Sequence, residues 1–397
     1  MDRHTVLDLH IVTLLLSQVL VASSVAVVSN NKSIQTHGTA WRFPKLYGVN
    51  IESVNWESWT NEEVDRELSD IKNRGFNFVR FEVYFHRFID LATPAFNPSR
   101  NRFFYDKLVY FLKSLDQKGL FAEPLLMEPW KFGDQMSMWW TNSTLQSTIR
   151  FFYRTFADWV RNTGVQNIVY ITLWSEASYY FEWVDGYYIV NRSLASYPEA
   201  NVDWRNWLSL HDISAADLTM DNINLYIDQY VSWSRTRFNE VTKLKANAVR
   251  DGWPGIPVSG EMGYSLERCG TVGPYHASKY LNLCGNASVD VLNDHDYFDS
   301  TWWSLEPYLN TSENRIMIVN EMGPPFYLGV YANDTERWWQ YMEPKMNLAT
   351  AKGKGFAIWS WMDYDGKPWG LKDAGFNPRP VLQLVTQWLA ANKVIMP

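Results

Sequence analysis

From Leu46 onward, short apolar runs alternate with segments whose apolar residues recur every three or four positions. Leu46 to Ile51 is the first run and reads as a strand. Glu62 to Arg74 carries Val64, Leu68 and Ile71 on one helical face, and Gly75 ends it. Phe76 to Phe85 is the second run. A helix over Phe104 to Lys118 follows, with Leu108, Phe111, Leu112 and Leu115 on one side and Gly119 as its stop. The third run is Phe121 to Met127, the next helix Thr144 to Asn162, and the fourth run Ile168 to Leu173. Tyr179 to Leu218 breaks this rhythm. It is aromatic and polar without a clear period, which predicts a long loop insertion after strand four, over one face of the fold. A helix over Asn222 to Asp251 resumes the pattern. Further runs come at Ile256–Ser259, Val289–Asn293, Arg315–Val319 and Phe356–Trp361, and a final helix at Val381–Ala391. Eight runs, mostly separated by helices and apolar on both alternating faces, predict parallel strands buried on both sides. The predicted class is α/β, a (β/α)8 TIM barrel, as a single catalytic domain over residues 43–397.

The first 42 residues do not fit that pattern. Arg3 precedes an apolar stretch from Ile11 to Val28 that ends among small residues, so 1–28 reads as a signal peptide with Ser24-Val25-Ala26 as one cleavage site. A single membrane anchor is the alternative, because the stretch approaches spanning length. Residues 29–42 are polar and irregular, a spacer ahead of the domain. Export makes sense of two further features. Six Asn-x-Ser/Thr sites occur, at Asn31, Asn142, Asn191, Asn286, Asn310 and Asn333, which predicts surface glycosylation. Cys269 and Cys284 are the two cysteines. In an oxidising compartment they would close one loop, and otherwise they are two buried thiols.

Composition narrows the chemistry. With 46% hydrophobic and 20% charged residues, the chain has the means to bury a core. A net charge of −7 and the lack of a basic run argue against nucleic acid. Neither a CxxC pair nor a Cys/His cluster occurs, so no metal and no cofactor is expected. Tryptophan is abundant, at 21 of 397 residues. Some of these serve a bulky core. Others supply flat faces for stacking on sugar rings, and Trp130, Trp139, Trp140, Trp183, Trp302 and Trp303 lie in or after strand ends.

In such a barrel, chemistry sits at the carboxyl ends of the strands. The fourth run leads into Trp174-Ser175-Glu176, and the seventh into Asn320-Glu321-Met322-Gly323. Two facing carboxylates are the minimum equipment for glycoside cleavage: one holds a proton for the leaving oxygen, the other attacks or activates water. Glu261, in a second Glu-Met-Gly, and Glu128, beside Trp130, are rival carboxylates read as binding residues.

Glutamates ending strands four and seven resemble the signature of clan A glycoside hydrolases, and the pattern is most similar to family 5. The resemblance runs from about Leu46 to the end. It implies that Arg80, ending strand two, and the His295-Asp296-Tyr297 segment after strand six serve the site, with Trp359, or its near rival Trp361, flooring it at strand eight. It further implies that Glu176 is the acid/base and Glu321 the nucleophile, with retention of configuration. The chain departs from the family pattern at Ser175, where an asparagine usually binds the sugar 2-hydroxyl, and at Ala177, where proline is usual. Arg80 is expected to lower the pKa of Glu321, and apolar walls to raise that of Glu176.

The function expected is a secreted, extracellular, monomeric hydrolase cleaving β-1,4-linked polysaccharide, mannan or glucan, in the endo manner. Its partner is a polysaccharide or oligosaccharide, without membrane contact once the signal is removed. Exo action on oligosaccharides and a non-catalytic carbohydrate-binding barrel are the alternatives. A metal-dependent hydrolase, with Asp294, Asp296, His295, Glu261 and Glu321 as ligands, is a third.

Overall fold

The computed structural model describes residues 43–84, 87, 102–127, 143–173, 198–214, 226–261, 289–297 and 316–393. Eight parallel strands close into a barrel in sequence order: β1 (Leu46–Ile51), β2 (Phe78–Tyr84), β3 (Phe121–Met127), β4 (Ile171–Thr172), β5 (Val258–Glu261), β6 (Val291–Asp296), β7 (Ile316–Met322) and β8 (Gly355–Ile358). The described helices are α1 (Ser53–Ser58), α2 (Asn61–Asn73), α3 (Arg102–Gln117), α4 (Ser143–Asn162), α5 (Pro198–Leu210), α6 (Ile227–Gly252), α7 (Thr335–Lys352) and α8 (Pro380–Lys393). None of them is long and apolar enough to cross a membrane.

Local chemistry accounts for the elements. Thr60 and Glu63 form a reciprocal capping box that starts α2, and Val64, Leu68 and Ile71 are the face that it buries. The β1 and β3 boundaries coincide with the first and third apolar runs. The barrel closes where β1 meets β8, in the register Leu46↔Gly355. Gly355 has φ +133°, and a Cβ there would overlap the Leu46 carbonyl, so only glycine lets the seam close.

Several elements differ from expectation. β5 begins at Val258 rather than Ile256: Pro257 has no N–H for a ladder, and it contributes its carbonyl to Ile171 N instead. β6 and β7 run three residues beyond their apolar runs, through Asp296 and Met322. At the end of β7, Asn320 and Glu321 face the barrel interior, where hydrogen bonds replace apolar contacts. β8 stops at Ile358, short of Trp361. The helix α7 has no counterpart in the sequence reading, and neither does α1. Part of the expected loop insertion, residues 198–210, is helical. Trp204, Trp207 and Leu208 of α5 are buried, and Trp204 meets Trp233 of α6 at 5.6 Å. The signal was an i, i+3, i+4 apolar trio, hidden among polar neighbours.

Candidate active site

β7 holds one residue more than its neighbours. Between Asn293↔Ile318 and His295↔Glu321, β6 advances two residues and β7 three. Between Val319↔Phe356 and Met322↔Ile358, β8 advances two and β7 three. In a regular strand, consecutive side chains point to opposite faces. The bulge lets both Asn320 and Glu321 turn inward, as bulges beside active sites do. Asn320 Nδ2 donates to Glu123 Oε1 at 3.0 Å, deep in the barrel. Glu321 reaches up to the mouth.

Among the described residues, three side chains hold Glu321, which is 7% exposed. Tyr297 OH donates to Oε1 at 2.5 Å. Arg80 Nη1 lies 3.2 Å from Oε2, and His295 Nε2 lies 3.3 Å from the same oxygen. A guanidinium and a phenol on opposite oxygens both favour a negative carboxylate. Gly323 makes the Tyr297 contact possible, because a Cβ at that position would overlap the tyrosine ring.

Beneath this carboxylate lies a buried polar layer centred on Glu123. It accepts from Tyr170 OH at 2.7 Å, Thr172 Oγ1 at 2.5 Å and Asn293 Nδ2 at 3.2 Å, as well as from Asn320. Arg80 Nε lies 3.5 Å from the same Oε1. Arg80 therefore bridges Glu123 below and Glu321 above, while its Nη1 also donates to Asn50 Oδ1 at 2.5 Å. Asn50 Nδ2 donates to Asn320 O at 3.0 Å and ties β1 to the bulge. From outside the barrel, α7 sends in Lys345. Its buried ammonium lies 2.8 Å from Asp296 Oδ1 and donates to Gly323 O at 3.0 Å, which fixes the ends of β6 and β7 together.

A second group of carboxyls stands on the β1–β2 side of Glu321. Glu52, just past β1, is pushed well above the ordinary carboxylate range, first by burial, then by Glu82 and Glu321. Burial raises Glu57 to about 7, against the pull of Arg87 at 3.3 Å. Tyr84, which hydrogen-bonds Glu82, is also pushed up, again chiefly by burial.

The structure thus brings Arg80, His295, Tyr297 and Glu321 into one cluster. Trp359 follows β8 and is partly exposed. Its N–H donates to Met322 O at 2.8 Å, and its peptide with Ser360 is cis. Trp361 is a correction. It is 0% exposed, meets Phe76 edge-on at 6.2 Å, and its Nε1 donates to Glu67 Oε2 at 2.9 Å. A ring enclosed in this way offers no face to a sugar. Glu67 also pairs with Lys372 at 2.7 Å, so Trp361 belongs to a buried contact between α2 and the segment after β8.

Glu176, Ser175, Trp130, Trp139, Trp140, Trp183, Trp302, Trp303, Glu128, Cys269, Cys284, Asn31, Asn142, Asn191, Asn286 and Asn310 lie outside the described residues, as do the side chains of Glu261 and Asp294. Asn333 is described and exposed, one residue ahead of the α7 cap Asp334. Among the described residues no group of three or more His, Cys, Asp or Glu side chains is arranged to hold a metal ion. The Asp296 carboxylate is engaged by Lys345, and that of Glu321 by Arg80. Sequence reasoning did not single out Glu123, Glu52, Glu82 or Asn50. A lone Glu inside the apolar run Phe121–Met127 was the available signal, since a buried charge requires partners.

No family model matches the chain, and no curated protein matches it. Solved structures do resemble it. The exo-β-1,4-mannosidase from Opitutaceae bacterium strain TAV5 superimposes with a TM-score of 0.58 at 15% identity, covering 89% of this chain and 61% of that one. GH5_18 from Streptomyces cattleya, in complex with GlcNAc, has a TM-score of 0.58 at 14% identity, covering 90% of this chain and 82% of that one. The β-glucuronidase of Bacteroides uniformis has a TM-score of 0.52 at 12% identity, covering 87% of this chain and 35% of that one. This chain therefore spans under two thirds of the mannosidase and about a third of the glucuronidase. At these identities the likeness is one of fold, and the fold is the (β/α)8 barrel that these glycosidases share.

Proposed function

We propose that the chain is a retaining glycoside hydrolase acting on β-linked carbohydrate. One observation carries the reading: a carboxylate at the end of β7, gripped by Tyr297, Arg80 and His295 and facing the barrel mouth. In this reading Glu321 attacks the anomeric carbon and forms a glycosyl ester, while Glu176 gives its proton to the leaving oxygen. Glu176 then removes a proton from water, which displaces Glu321 and restores both groups. The arrangement around Glu321 suits a nucleophile rather than an acid, because a guanidinium at 3.2 Å opposes its protonation.

The substrate class proposed is β-1,4-mannan or β-1,4-glucan with endo cleavage, supported by the tryptophans outside the barrel strands. Exo action is the second reading, and the fold shared with an exo-β-1,4-mannosidase favours it. Secretion and glycosylation are part of the proposal, with Asn333 an accessible acceptor.

The test is hydrolysis of glucan, mannan and xylan with the anomer of the first product followed by NMR. Initial β product is expected. Glu176→Gln should slow turnover by about 10²- to 10⁴-fold, and Glu321→Gln should remove it with the fold intact. An initial α product, or full activity in Glu321→Gln, refutes the mechanism. A ladder of oligosaccharides supports endo action, and monosaccharide or disaccharide alone supports exo.

A further inference from the structure

The acidic pair on the β1–β2 side is not needed by the two-carboxylate mechanism, yet it is built into the same mouth. β1 and β2 pair as Asn50↔Arg80 and Ile51↔Phe81, so Glu52 and Glu82 come next in register. They share the inward face of Asn50 and Arg80, one step nearer the mouth. Glu52 directly precedes α1, where a side chain ordinarily caps the helix. Its backbone is extended (φ −63°, ψ 150°), and its carboxyl makes no capping hydrogen bond. Its place one step past the Ile51↔Phe81 pair sets it beside Glu82 instead.

Glu52 and Glu82 are neighbours in register, are 2% and 6% exposed, and Glu82 favours the protonated form of Glu52. Two buried carboxyl groups side by side avoid like-charge repulsion by holding one proton between them, and burial with Glu321 nearby favours its retention on Glu52. The other Glu52 oxygen, Oε1, is shut off from solvent and has no hydrogen-bond partner among the described residues. A buried oxygen left unpaired carries a desolvation cost that a bound hydroxyl would relieve.

Resting on the glycosidase reading, we propose that Glu52 and Glu82 form the recognition edge for the reacting sugar: Glu52 Oε1 accepts a hydroxyl of a neutral sugar, and the pair turns away a uronic acid. The shared proton leaves the pair with one negative charge beside the negative Glu321. The nearby cation Arg80 is already divided between Glu321 and Glu123, and Arg87 faces Glu57. Among the described residues, a carboxylate on the sugar would meet like charge with no cation left to answer it. The barrel itself leaves this choice open, since a mannosidase and a glucuronidase both have it.

The experiment measures binding by calorimetry on full-length Glu321→Gln protein, which leaves the ligand uncleaved. The ligands are p-nitrophenyl β-mannoside, β-glucoside and β-glucuronide. The better neutral glycoside is expected to bind at least about tenfold more tightly than the glucuronide, and adding Glu52→Ala should weaken it about 10- to 100-fold. The isosteric double change Glu52→Gln with Glu82→Gln should bring the glucuronide within about threefold of the neutral ligand, and its circular dichroism guards against misfolding. Equal or tighter glucuronide binding, an unchanged dissociation constant in Glu52→Ala, or no binding of any ligand overturns the proposal. Hydrolysis by the protein with Glu321 intact separates the two readings. Discrimination without hydrolysis sinks the glycosidase reading and leaves the recognition edge standing. Hydrolysis indifferent to Glu52→Ala sinks the recognition edge alone.

Discussion

Tyr297 and Arg80 hold Glu321 on different oxygens, and the two contacts differ in what else they support. Arg80 also reaches Glu123 and Asn50, so replacing it disturbs the whole buried layer. Tyr297 is a cleaner probe. Its ring packs beside Gly323 and edge-on to Phe326 at 5.7 Å, contacts that phenylalanine would keep. Tyr297→Phe therefore removes one hydrogen bond to a charged oxygen. Turnover is expected to fall about 10- to 100-fold with KM little changed and the melting temperature within a few degrees. A variant with wild-type turnover would show that the bond does not serve the reaction. His295, Tyr297 and Glu321 were readable because each lies at or just past the end of an apolar run; Arg80 came from the family resemblance alone, and it lies within β2 rather than at its end. Asn50, Glu52 and Glu82 were not, since a polar residue at a strand end looks the same whether it faces solvent or the barrel axis. Trp361 was misplaced for a related reason: Trp359 and Trp361 are two apart and would share a face if the strand continued, but it stops at Ile358.

At the scale of elements, α7 links the outer layer to the site through Lys345. Lys345→Met removes the buried cation beside Asp296 and the donor to Gly323 O. Breaking a buried pair from one side costs about 3–5 kcal/mol. Chemical denaturation should show a loss of that order, and activity should fall with it because Gly323 backs Tyr297. A loss below about 1 kcal/mol would mean that the pair is effectively solvated. This helix escaped the sequence reading because Pro344 interrupts it, and its buried set, Trp338, Met342, Lys345, Met346 and Ala349, includes a lysine. Helices α2, α3 and α4 carry uninterrupted apolar faces and were found within two residues at either end. The β7 bulge was hidden for another reason. An inserted residue leaves no mark on an apolar run and becomes evident only against the register of β6 and β8.

For the molecule as a whole, closure of the barrel followed from counting eight runs, but its pH response did not, because it depends on which acids are buried. Glu57 is raised to about 7, and Glu52 is raised as well. Both bind protons more readily in the folded chain than in the unfolded one. The stability they lend is complete below about pH 4.5 and is lost as pH climbs through the folded value. Glu63 and Asp65 are lowered and act in the opposite sense, losing their contribution in acid. Between these limits the melting temperature should decline from about pH 5 to about pH 8, and Glu57→Gln should flatten that decline. A melting temperature that climbs over the same interval would contradict the protonation assigned to these acids.

The extra residue in β7 also bears on any attempt to transplant this chemistry. An evenly pleated strand offers one interior position where this chain has two neighbouring ones, Asn320 and Glu321. Point replacement in an ordinary eight-stranded scaffold would send one of the two side chains into the helix layer. A successful graft needs an insertion, so that one member of the pair braces the floor while the other takes the proposed role of nucleophile.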